Sequence, residues 1–67
     1  MKYVYALVPE KKHTWEDIII FIEEELAIQA SIINIDSRVE IFEKSESGGF
    51  IPTLNYFKCG IYITLYN

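Results

Sequence analysis

Residues 14–30 read Thr-Trp-Glu-Asp-Ile-Ile-Ile-Phe-Ile-Glu-Glu-Glu-Leu-Ala-Ile-Gln-Ala. Thr14 can cap a helix through its hydroxyl, Asp17 stands in the capping-box position, and Glu16 and Asp17 suit the positive end of a helix dipole. At about 100° per residue, Trp15, Ile18, Ile19, Ile22, Leu26 and Ala30 form one stripe over roughly a third of the circumference. The stretch therefore predicts a helix over 14–30 with that stripe on the core. Phe21 and Ile28 fall on another side, near Asp17, Glu24 and Glu25, where a two-layer domain meets only solvent. That pair is surplus to the expected core.

Strand patterns flank this segment. Residues 2–8 alternate Tyr3, Tyr5 and Leu7 with Val4, Ala6 and Val8, which describes a strand apolar on both faces and ended by Pro9. From Ile32 to Lys44 the period is two, with Ile33, Ile35, Ser37, Val39 and Ile41 on one side and Asn34, Asp36, Arg38 and Glu40 on the other. This is one long strand, or two with a break near Asp36-Ser37. Ser45-Glu46-Ser47-Gly48-Gly49 is a turn, because its glycines permit positive φ and its serines satisfy local backbone groups, and a hairpin should close there. Phe50 to Phe57 returns as a strand, with Pro52 favouring an edge or a strand start. Lys58-Cys59-Gly60 is a bend or a bulge, and Ile61–Tyr66 is a last strand with Tyr62 and Tyr66 on one face. The sum is a single α+β domain over 1–67: a small two-layer β-α-β-β(-β) arrangement with one helix on a three- or four-stranded, mainly antiparallel sheet.

Composition narrows the function. Hydrophobic residues make up 51% of 67 positions and aromatics 15%, a heavy apolar load for a chain this short. One cysteine and one histidine leave neither a disulfide nor a structural metal as a staple, so self-association is expected to supply it. The net charge of -4 makes nucleic acid an unlikely partner, since a groove for it needs clustered Lys and Arg. No run reaches membrane-span length and no signal-peptide pattern opens the chain, so the expectation is a cytoplasmic protein without membrane contact.

Catalytic equipment is sparse. Cys59 and His13 are the only nucleophile–base combination, and each has a plainer reading: a small buried apolar residue by a tight turn, and a solvated loop residue before a helix cap. Glu23, Glu24 and Glu25 diverge by 100° steps on a helix, so they cannot converge on one metal ion. Gly48-Gly49 lacks the Lys-Ser/Thr and following helix of a phosphate loop. No catalytic residue, metal ligand or cofactor is assigned, and the chain is expected not to be an enzyme.

The leading expectation is a protein-interaction module that oligomerises and binds, inhibits or regulates a partner macromolecule. The Ile, Lys, Asn, Tyr and Glu bias is like that of many small proteins of AT-rich bacteria and their phages, and a phage-encoded inhibitor of a host defence system, acting in the bacterial cell, is one setting for such a module. Its expected interface comprises Phe21, Glu24, Glu25 and Ile28 on the back of the helix, with Tyr5, Tyr62 and Tyr66 on the uncovered sheet face. A second possibility is an oligomeric binder of a nucleotide signal, with tyrosines, Asn55, Thr53 and Arg38 lining pockets between subunits. A third is a structural assembly subunit whose free edge strands pair with neighbours.

Overall fold

A computed structural model of the chain describes residues 1–64. In order these form β1 (Tyr3–Pro9), a 3-10 turn (Trp15–Asp17), β2 (Ile19–Phe21), α1 (Glu24–Ile33), β3 (Ser37–Lys44), β4 (Phe50–Lys58) and β5 (Ile61–Ile63). All five strands belong to one antiparallel sheet in the order β2-β1-β3-β4-β5, with α1 packed on one of its faces. This is the α+β architecture expected from the sequence, with five strands in place of three or four. No described helix is long and apolar enough to cross a membrane.

The added strand comes from the segment read as the first half of a helix. Ile18-Ile19-Ile20-Phe21-Ile22 is an unbroken run of β-branched and aromatic side chains, which lose rotamer freedom in a helix and fit a pleated surface. Its strand-forming core pairs with β1 in the register Tyr5–Phe21, Ala6–Ile20 and Leu7–Ile19. The Thr14/Asp17 signal closes only a single 3-10 turn, in which the Thr14 amide donates to Asp17 Oδ2 at 3.0 Å. The helix starts instead at the carboxylates of Glu24 and Glu25, which suit the positive helix end. It also runs three residues further than expected. At its C-terminus the backbone amide and Nδ2 of Asn34 both donate to the Ala30 carbonyl, at 3.0 and 2.8 Å. The long strand expected from Ile32 therefore begins at Ser37, while Ile33 and Ile35 are exposed.

The core follows this shift. Tyr5, Leu7, Val39, Ile41 and Phe57 rise from the sheet against Ala27 and Ala30 of α1, with Phe21 and Ile28 packed at the edge. Of the stripe expected to face inward, only Ala30 is buried; Trp15, 80% exposed, Ile19, Ile22 and Leu26 all face solvent. Ala27, Ala30 and Ser31 are small, so the helix lies close on the sheet, and Ala27, Ser31 and Val39 are fully buried.

Two hairpins and a clamp finish the framework. The serine-glycine turn closes as expected, with the Ser45 amide donating to the Gly49 carbonyl at 2.7 Å and Gly48 at φ 95°. Cys59 and Gly60 both have positive φ, the requirement of a two-residue hairpin turn between Lys58 and Ile61. Cys59 is exposed there, not buried as its composition class suggested. The turn is pinned to the helix by Ser31, whose Oγ accepts from the Gly60 amide at 2.9 Å and donates to the Ile28 carbonyl at 2.7 Å. At the same end Lys58 Nζ donates to Glu10 Oε1, Ile35 O and Ser37 O at 2.6, 2.7 and 2.9 Å, tying β4 to the connections around it.

Ser31→Ala removes both hydroxyl bonds and leaves the Gly60 amide facing a buried methyl group. A loss of about 1–3 kcal/mol of unfolding free energy is expected in urea titration; an unchanged midpoint would show that the turn holds without the clamp.

Candidate functional site

Strand register sorts every sheet side chain onto one of two faces, and each face presents a candidate surface. The first is the face away from α1. A row in register crosses all five strands there: Ile20, Ala6, Glu40, Tyr56 and Ile63. Val4 and Val8 of β1, Phe42 and Arg38 of β3 and Ile61 of β5 share it by alternation. Among the described residues no second element packs on this face. Its polar part is central: Arg38 Nε lies 2.7 Å from Glu40 Oε2, and the guanidinium carbon sits 5.1 Å from the Tyr56 ring centroid.

The second candidate lies on the helix side. A ten-residue helix is about 15 Å long, too short to cover the sheet to its far end. Beyond its N-terminus a cavity of about 500 Å³ opens over the sheet. Tyr3 and Tyr5 of β1 and Tyr62 of β5 supply aromatic wall, and Glu24 of α1 and Glu43 of β3 supply carboxylates. Thr53 and Asn55 of β4 complete the polar lining.

A bulge shapes the β4 side. The register passes from Glu40–Tyr56 to Phe42–Pro52, so Thr53, Leu54 and Asn55 stand opposite Ile41 alone. Leu54 takes φ 72° to make the bend, and Thr53 holds it, its Oγ1 donating to Ile41 O at 2.8 Å and accepting from the Asn55 amide at 3.1 Å. This leaves Asn55 Oδ1 buried without a hydrogen-bond partner, a costly condition for a polar atom. Beside it, burial pushes the Tyr5 phenol above its ordinary range, and the charges of Glu24 and then Tyr3 push the same way.

Several expected site residues change place. Phe21 and Ile28, read as surplus apolar groups on the helix back, instead close the edge of the core, Phe21 from β2. Their assignment failed because the wheel assumed one helix through both. Tyr5 and Tyr62 lie on the helix side of the sheet, not on its bare face: Tyr5 belongs to the core, and Tyr62 pairs with Phe57 and contacts its ring edge-on at 5.8 Å. Glu24 reaches the cavity, and Glu25 is exposed on α1. Tyr66 lies outside the described residues.

The polar groups grouped with the tyrosines are divided: Thr53 and Asn55 join Tyr5 and Tyr62 in one cavity within a single chain, whereas Arg38 is on the opposite face. Among the described residues that line the cavity there is no Lys or Arg to hold a nucleotide phosphate. Sequence reasoning missed Glu43, although it extends the Val39-Ile41 alternation and so places a charge on the core side.

His13 is exposed, with Nδ1 2.9 Å from the Lys11 carbonyl, and Cys59 is exposed on its hairpin. Among the described residues no three His, Cys, Asp or Glu side chains are grouped to hold a metal. No protein-family model matches the chain, nor does any curated protein or solved structure.

The raised Tyr5 pKa fixes a sign for pH dependence. The folded chain holds the phenolic proton more tightly than the unfolded chain, so this contribution is complete below pH 10 and is lost as pH rises through the folded value. Tyr5→Phe should flatten the decline of stability above pH 10 in denaturant titrations, and an identical decline in both proteins would remove Tyr5 as its source.

Proposed function

We propose that this chain is a non-enzymatic interaction module that pairs with a second copy of itself through the open sheet face, and in that form binds and blocks or regulates a partner macromolecule. The observation carrying this reading is the make-up of that face. Apolar side chains run from Ile20 at one edge to Ile61 and Ile63 at the other, interrupted by the Arg38–Glu40 pair on the middle strand and by Lys58, which stands beside Ile61 and pairs with Glu10. Such a surface is costly to leave in water.

Self-pairing is favoured by where the charges lie. Arg38 and Glu40 are two residues apart on β3, the central strand, so a two-fold axis between them places each arginine against the partner's glutamate. The area also suits a dimer. Five strands about 4.8 Å apart, holding 3, 7, 8, 9 and 3 residues at about 3.3 Å each, give a face of roughly 475 Å². Two such faces cover about 950 Å², close to the ~1,000 Å² of a specific interface and in the range of weak association. Dissociation on the order of micromolar is expected, because the ion pair must also lose water.

Edge-to-edge assembly is the weaker reading, since among the described residues each outer strand offers three for pairing. Light scattering over a dilution series, read beside circular dichroism, tests the proposal. The native chain should pass from dimer to monomer on dilution. Phe42→Glu and Ile61→Glu should be monomeric and folded at concentrations where Ile33→Glu, altered on the exposed end of α1, remains dimeric. A native chain monomeric throughout, or dimers indifferent to both face substitutions, would refute it.

A further inference from the structure

We infer that the cavity beside the N-terminus of α1 is a binding site for an organic cation bearing N–H donors, a guanidinium group above all. It lies on the face opposite the proposed dimer contact and does not depend on self-association.

Its lining is selective in sign. Glu24 and Glu43 bring two carboxylates to one cavity, and no Lys or Arg lines it. Tyr3, Tyr5 and Tyr62 add aromatic rings, whose faces attract cations and on which a planar guanidinium can stack. Tyrosine phenols are neutral near pH 7, so the carboxylates carry the attraction. Asn55, which lines the cavity, keeps its Oδ1 buried with no hydrogen-bond partner among the described residues, an acceptor that a ligand N–H could satisfy on reaching it. An anionic or purely acceptor ligand would leave it orphaned and oppose both carboxylates.

Two competing effects are smaller. The positive end of α1 opposes a cation with about half a charge, against the full charges of Glu23, Glu24 and Glu25 beside it. Lys2 already occupies the rim, its Nζ 5.5 Å from the Tyr3 ring centroid and 3.7 Å from Glu43 Oε2. The chain's own ammonium therefore demonstrates the pairing of ring and carboxylate that the ligand would use, while competing for it. Lys2 is 68% exposed along its side chain, so it is easily displaced.

The test is a titration of the full ¹⁵N-labelled chain, followed by amide chemical shifts, with ethylguanidinium, an acetyl-Gly-Arg-Gly-amide peptide and adenosine monophosphate. Saturable shifts at Tyr3, Asn55 and Tyr62 are expected with the two cations below about 10 mM. Glu24→Gln and Glu43→Gln should each weaken binding about threefold or more, and Lys2→Ala should strengthen it by up to about fivefold. Peptide binding more than about tenfold tighter than ethylguanidinium would assign the cation to an arginine of a protein partner; comparable binding would assign it to a free small molecule. The site is overturned if neither cation gives saturable shifts, if the nucleotide moves the same residues equally, or if both glutamine variants, shown folded by their dispersed spectra, bind as the native chain does.

Discussion

A helix of ten residues set on a sheet of five strands cannot cover even the one face it rests on, and the remaining features follow from that mismatch. Ala27, Ala30 and Ser31 let α1 lie close enough to bury Val39 completely, but they add little volume of their own. The core is therefore dense under the helix and ends where the helix ends. Beyond its first turn the same face becomes a cavity floored by side chains that would otherwise be interior. Tyr5 stands on the boundary: its ring is core, and its phenol pKa is raised first by burial and then by the charge of Glu24. The other face has no covering layer among the described residues.

Period-two alternation then writes two different surfaces into the same strands. On β1, Tyr3 and Tyr5 serve the helix side, while Val4, Ala6 and Val8 serve the bare side. On β3, Ile41 and Glu43 border the cavity, and Arg38, Glu40 and Phe42 lie opposite. A one-residue slip would exchange the two sets, so register is under strong constraint. The bulge at Thr53–Asn55 preserves it. Two extra residues, not one, are inserted opposite Ile41, and Tyr56 and Pro52 consequently stay on the same face.

How much of this was legible in the sequence depends on the kind of signal. Period two survived in β1, in β3 beyond Ser37 and in the final hairpin, because alternation and paired positive-φ turns are local properties. The class of fold followed from them. The helix boundaries did not, because five successive apolar residues from Ile18 to Ile22 satisfy a helical stripe and a strand equally well. β-branching should have decided the choice, and the three glutamates after it marked the true helix start. That one error moved Phe21 and Ile28 to the wrong surface and hid the fifth strand. Within the cavity, Thr53 and Asn55 were chosen for their chemistry, but their meeting with Glu24 and Glu43 is long-range information that no window of sequence contains.

The exposed apolar groups bear on how the two surfaces could work together. Burying the bare face in a dimer would stiffen β1, β3 and β4, the strands that also carry Tyr3, Glu43 and Asn55 on their other side. The carboxylates, by contrast, come partly from α1, which is held to the sheet by Ala27, Ala30 and Ile28 and by the Ser31–Gly60 clamp at its far end. A ligand that draws Glu24 toward Glu43 would therefore pull on the least anchored end of the helix while the floor stays fixed. Coupling between the surfaces would then run through ordering of the sheet, with the open helix end as the part free to respond. On the proposed reading the division of labour would follow from the fold: a sheet packed by a helix too short for it would give one face to assembly and leave a partly finished core to serve as a site.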